Sequence, residues 1–228
     1  MKIQALIILL FFLITFQIQA QRLNVFGAEL GKKERNGMEM RMPYTDSKCY
    51  FGFIDSTWMV SDTLAGMNFY YLYFNLPQET AEIGVRLMSP VSVVIFPDKG
   101  DFVEKGYYEY RKMNKIWFDP WIALEHKVII NDSSKRDSIN YNWIMLGGND
   151  DNEELFAQPS GKKNNSLFRV ISDTLQPYKK LNVGIYRIII TSEKDEHFNG
   201  SFIVQIGAMI KLNGFKISRL LSEIPTQQ

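Results

Sequence analysis

The sequence predicts an all-β fold, a sandwich or a barrel, on three observations. Strand-length apolar segments recur along the chain and are broken by Gly, Pro, Asn and Asp. Helix-length amphipathic patterns are few. No period of roughly 20–50 residues repeats, which argues against a solenoid.

The elements follow in chain order. Lys2 supplies a short positive region, Ile7 to Ile14 form an apolar run, and Gln17-Ile18-Gln19-Ala20 closes it. This pattern predicts a signal peptide over residues 1–20, cleaved before Gln21, since the run is short of the roughly 20 apolar residues of a spanning helix. The chain is therefore expected to be exported, to the periplasm, to the outer-membrane surface as a peripheral protein, or out of the cell. Residues 21–228 have the length of one β-rich domain. Phe69–Phe74 is an aromatic strand candidate closed by Pro77. Ile83–Met88 and Val91–Phe96 follow, separated by Ser89-Pro90. Trp121–Ile130 is the next candidate, and Ile139–Leu146 ends at Gly147-Gly148. Gly184–Thr191 is rich in β-branched residues. Phe202, Val204 and Ile206 alternate with Ser201, Ile203 and Gln205, giving one uniformly apolar face. A short helix around residues 176–181 is limited by Pro177.

Composition excludes several functions. Loss of residues 1–20 removes Lys2 and no acid, so Lys and Arg fall from 26 to 25 against 25 Asp and Glu. A neutral chain has no electrostatic case for nucleic acid or for anionic lipid. The single cysteine, Cys49, rules out an internal disulfide despite export. It lies in the apolar stretch Cys49–Phe53 and reads as a buried structural thiol. The fold must then rest on its core, which suits a chain that is 46% hydrophobic and 14% aromatic.

Catalytic motifs are missing. Neither His126 nor His197 sits in a zinc-binding spacing, and both read as strand-edge or turn residues. No nucleophile elbow, P-loop or dinucleotide fingerprint occurs. The chain is read as non-catalytic. A glycoside hydrolase stays open as an alternative, because paired carboxylates can come from any strands.

Two segments carry chemistry. Asn149-Asp150-Asp151-Asn152-Glu153-Glu154 places six oxygen-bearing side chains in a row, after two glycines that free the backbone to bend. Like charges at that density need solvent or a cation, and Ca²⁺ takes six to eight oxygens in a loose geometry. Asp119 stands within Trp117-Phe118-Asp119-Pro120-Trp121, where a buried carboxylate is costly unless paired or metal-bound. On the residues alone, a solvated acidic turn is the simpler account of the acidic run, and an exposed Asp-Pro turn explains Asp119 as simply as a buried carboxylate does.

Several segments, in order, resemble the major surface lipoprotein family of leptospires. They are Phe69–Tyr73 with Leu76-Pro77 and Ala81–Pro90, Trp117–Ile122, Asn165-Ser166-Leu167, Gly184–Ile188, and Gly200–Val204 with Gly207. The resemblance runs from about Pro43 to Gly214. It implies a jelly-roll β-sandwich and a calcium site. Carried over residue by residue, the metal ligands become Asp119, Pro120, Asp150, Asp151 and Asn164. The chain departs from the family in three ways. The acidic run is shorter, and Pro120 offers only a main-chain carbonyl, so weaker calcium binding is expected. No cysteine follows the leader, so lipidation is not carried over.

The resemblance implies an exported calcium-binding surface protein, an adhesin for extracellular-matrix protein or glycan. A carbohydrate-binding module is the alternative. Tyr107, Tyr108 and Tyr110 are candidates for an exposed aromatic face, against ordinary strand packing.

Overall fold

The computed structural model describes residues 27–35, 38–90, 96–113, 115–130, 140–153, 155, 157–192 and 198–225. Residues 1–20, His197 and most of Val91–Phe96 lie outside them. Thirteen strands and one α-helix are assigned among the described residues. A hairpin of β1 (Gly27–Arg35) and β2 (Met38–Pro43) forms its own two-stranded sheet beside two larger ones.

Sheet I has the order β10 (Ser166–Ile171), β6 (Glu82–Met88), β12 (Gly200–Ala208), β3 (Asp46–Ile54) and β7 (Phe102–Val103). Sheet II has the order β13 (Ile217–Ser218), β5 (Met67–Leu76), β11 (Gly184–Ser192), β8 (Pro120–Ile130) and β9 (Asn140–Asn149). The short β4 (Asp62–Leu64) also pairs with β5. The pairings are nested. β3 pairs with β12, β5 with β11, β6 with β10, and β8 with β9, all antiparallel. Successive nested pairs alternate between the two sheets. A long hairpin rolled up on itself has this order, so the expected jelly roll is present.

Periodicity explains which residues fill the space between the sheets. Along β5, Tyr70, Leu72, Phe74 and Leu76 enter the main core, while Phe69, Tyr71 and Tyr73 point to the opposite face. Phe202, Val204 and Ile206 of β12 meet them from sheet I. Each such side chain contributes roughly 1.5–3 kcal/mol on full burial.

The alternation in β12 understates its burial, because all nine residues are buried. Helix α1 (Tyr107–Met113) covers the outer face of sheet I and makes a second core with Cys49, Phe51, Phe53, Met88 and Ile203. The Tyr107 ring meets Phe51 edge-on at 5.6 Å, and Tyr110 stacks on Phe53 at 4.4 Å. This corrects the expectation for the tyrosines: they are helical, Tyr107 is fully buried, and Tyr108 is exposed. Cys49 is buried as expected, and burial raises its thiol pKa.

Two further readings change. β9 does not stop at Leu146 but runs through Gly147 and Gly148. A Cβ on Gly148 would stand 2.8 Å from the Ile122 carbonyl oxygen, so glycine here permits close strand approach rather than a bend. His126 is no edge residue. It is buried within β8 and stacks on Tyr186 at 4.4 Å, and burial lowers its pKa to about 4. The expected short helix is a 3-10 turn at Pro177–Lys179.

Candidate metal centre

Strand register brings the two acidic segments together. β8 and β9 are antiparallel neighbours with Ile122 opposite Asn149. Continuing that register past the strand ends sets the start of β8 beside the segment that follows β9. Asp119 precedes β8 and Asp150-Asp151 follow β9, so the side chains converge at one corner of the sandwich. One carboxylate oxygen from each of Asp119, Asp150 and Asp151 lies within 4.8 Å of the others. Asp119 is buried, Asp150 half-buried and Asp151 exposed.

The third segment enters from β10. Asn164, buried, donates its side-chain N–H to Asp119 Oδ2 at 3.0 Å. The Asn152 N–H donates to the Asn165 carbonyl at 2.9 Å. Asn149 and Asn152 donate side-chain N–H groups to the Leu167 carbonyl at 2.6 and 3.2 Å. The Pro120 carbonyl accepts a hydrogen bond from the Ser166 hydroxyl. Three of the predicted residues, Asp150, Asp151 and Asn164, thus gather around a fourth, Asp119, and Pro120 adjoins them through its main chain.

A buried polar clamp holds the Asp119 turn from behind. Gln158 donates its amide N–H groups to the carbonyls of Ser89 and Phe118, each at 2.6 Å. Ser89 takes up the Asn165 side-chain oxygen through its N–H at 2.9 Å. The Ser89 hydroxyl donates to the Ser201 carbonyl at 2.9 Å. Gln158 carries no motif and Ser89 only closes a resembling segment, so their part in the site is legible only from the fold.

The donor set is all oxygen, which suits a hard cation. Ligands at 2.3–2.6 Å from Ca²⁺ are at most about 5 Å apart across the ion, and the carboxylate cluster falls inside that span. The residues present therefore fit calcium. Asp119, Asp150 and Asp151 would hold it through carboxylates, with Asn164 and the Pro120 carbonyl as the remaining protein oxygens.

A second concavity, a groove of about 880 Å³ on the opposite edge of the sandwich, is lined by Asp101, Glu104 and Glu223 among others. All three of these acids serve the fold, Glu223 by accepting the Ser218 hydroxyl at 2.5 Å. Asp101 accepts the Cys49 and Asp98 main-chain N–H groups at 2.8 Å each. Glu104 is ion-paired with Arg219. Among the described residues no helix is long and apolar enough to cross a membrane.

A search of curated proteins returns no match. A family model described as surface lipoprotein of the Spirochaetales order matches residues 38–217, which take in both sheets and every residue of the acidic corner. The chain belongs to this family of spirochaete surface lipoproteins, whose members are exported to the envelope surface.

Proposed function

We propose that this chain is a non-catalytic surface protein that binds macromolecules of the extracellular-matrix type and is stabilised by one structural calcium ion. The observation that carries the calcium reading is the convergence of Asp119, Asp150 and Asp151 within 4.8 Å from two separate strand ends. A bound divalent cation would offset their mutual repulsion and tie the start of β8 to the segment after β9. The role is structural because the ligands come from strand ends and turns, which an ion would tie to one another. Five protein oxygens with one exposed carboxylate argue for an affinity in the weaker, extracellular range.

The macromolecule-binding part is supported only by the surface location that family membership implies. A glycan ligand gains support from the outer face of sheet II, where Tyr73, Trp121 and Trp143 are half-buried.

Calorimetric titration of calcium into the chain tests the metal reading. Binding is expected for the wild type and none for Asp150→Ala. A wild type that ignores millimolar calcium removes the site. Surface-bound matrix proteins and a glycan array, probed in calcium and in chelator, test the ligand class.

A further inference from the structure

The edge of the sandwich opposite the acidic corner is interrupted. β4 covers one end of β5, with Asp62 opposite Phe69 and Leu64 opposite Met67. β13 covers the other end, with Ile217 opposite Phe74 and Ser218 opposite Tyr73. Between them residues 70–72 of β5 have no strand neighbour on that side among the described residues. Sheet I also ends there in a two-residue strand, β7. The groove of about 880 Å³ runs along this broken edge, a volume within the usual range of binding sites.

Its rim is apolar and exposed. Met59 is 84% exposed, Leu220 57%, and Val60 and Val103 40% each. Exposed apolar side chains gathered round one concavity mark an interaction site. Its charge is negative, because among the described residues that line it Asp101, Glu104 and Glu223 face one cation, Arg219. That cation is spent on the fold. Its guanidinium lies 3.7 Å from the centre of the Trp58 ring, donates to the Phe53 carbonyl at 2.6 Å, and pairs with Glu104.

We propose that this groove docks an extended peptide segment of a partner protein, one that carries apolar side chains and at least one lysine or arginine. An extended chain fits a groove laid along a sheet edge between two short strands, with its side chains making the contacts, since the Tyr71 N–H of that edge already donates to the Ser61 hydroxyl at 3.1 Å. The apolar rim takes its side chains, and the excess carboxylates complement its charge. Anionic membrane is disfavoured by the same carboxylates. A glycan is disfavoured because no aromatic ring among the described residues lining the groove is exposed: Tyr50, Trp58 and Tyr71 are buried, Tyr73 and Phe102 half-buried, and Trp58 is covered by Arg219 and by Phe202 at 6.0 Å. The inference rests on the macromolecule-binding reading and gives it a place and a chemistry.

The test is an array of random-sequence nonapeptides, with neutral hexasaccharides beside them, probed with the full chain. Bound peptides are expected to be enriched in Lys or Arg together with Leu, Ile, Val, Met or Phe. Binding should fall about tenfold or more in the double variant Met59→Ser, Val60→Ser and in Glu223→Lys. Both changes alter exposed side chains, so an unchanged melting temperature shows that the fold is intact. Peptide binding without that enrichment overturns the proposal, as does binding that the variants leave unchanged. Saccharide binding that the variants abolish overturns it in favour of a glycan groove. Matrix-protein binding by a chain that captures no peptide overturns the groove alone and leaves the macromolecule-binding reading standing.

Discussion

Replacing Asp119 by asparagine should reverse the sign of its effect according to whether calcium is present. In calcium, the wild type is stabilised by mass action, by about 2.7 kcal/mol at a concentration 100 times the dissociation constant. A domain of this size gains about 2–4 °C in melting temperature per kcal/mol. The wild type is therefore expected to melt about 5–11 °C higher in saturating calcium than in chelator, and Asp119→Asn to lose that gain. In chelator the balance changes. Asp119 and Asp150 lie within 4.8 Å. Their repulsion at that distance is between about 1 kcal/mol in water and about 3 kcal/mol at an effective dielectric constant of 20. Asparagine removes it and keeps the shape of the side chain beside Asn164. The variant should then melt at or above the wild-type temperature in chelator, and below it in calcium. Differential scanning calorimetry of both proteins in both buffers reads the crossing directly. Parallel curves without a crossing would refute the shared-ion account of the acidic corner, and so would a wild type indifferent to calcium.

Three other outcomes follow from the geometry. His126 has its pKa lowered from 6.5 to about 4, so the unfolded chain binds the extra proton and stability falls as pH drops from about 6.5 to 4. The loss approaches about 3 kcal/mol at full protonation, and His126→Phe, which keeps the stack on Tyr186, should flatten that part of the pH–stability curve measured by urea unfolding. Gly148→Ala would push a Cβ to 2.8 Å from the Ile122 carbonyl oxygen and part β9 from β8. A loss of about 1–3 kcal/mol is expected, with weaker calcium binding by calorimetry, because Asp150 lies just beyond. Arg187, on the outer face of sheet II, sits 4.1 Å from the Tyr71 ring centre and 4.3 Å from that of Trp143, and it pairs with Glu125. Glu125→Ala leaves that cation largely buried and should cost about 3 kcal/mol, whereas the double change Glu125→Ala, Arg187→Met should recover most of it.

The sequence by itself determined the elements and much of the site. Strand-length aromatic, apolar or β-branched runs between turn residues marked β5, β6, β8 and β11, and a period-2 alternation marked β12. Asp119, Asp150 and Asp151 stood out as an acid among aromatics and an acidic run, since composition shows charge density without coordinates. Only the tertiary structure decided how these pieces meet. The nested pairing of β3 with β12 and β5 with β11 joins residues far apart in the chain, and no local pattern encodes it. The outer cover of sheet I escaped sequence reading because three tyrosines in four residues look like a strand. They form a helix whose buried contacts are with Phe51 and Phe53. The Gly147-Gly148 pair looks the same in a bend or a strand, and only the approach of the Ile122 carbonyl distinguishes the two. The acids of the groove and its apolar rim come from segments scattered between Met59 and Glu223, so their shared edge exists only once the two sheets have closed.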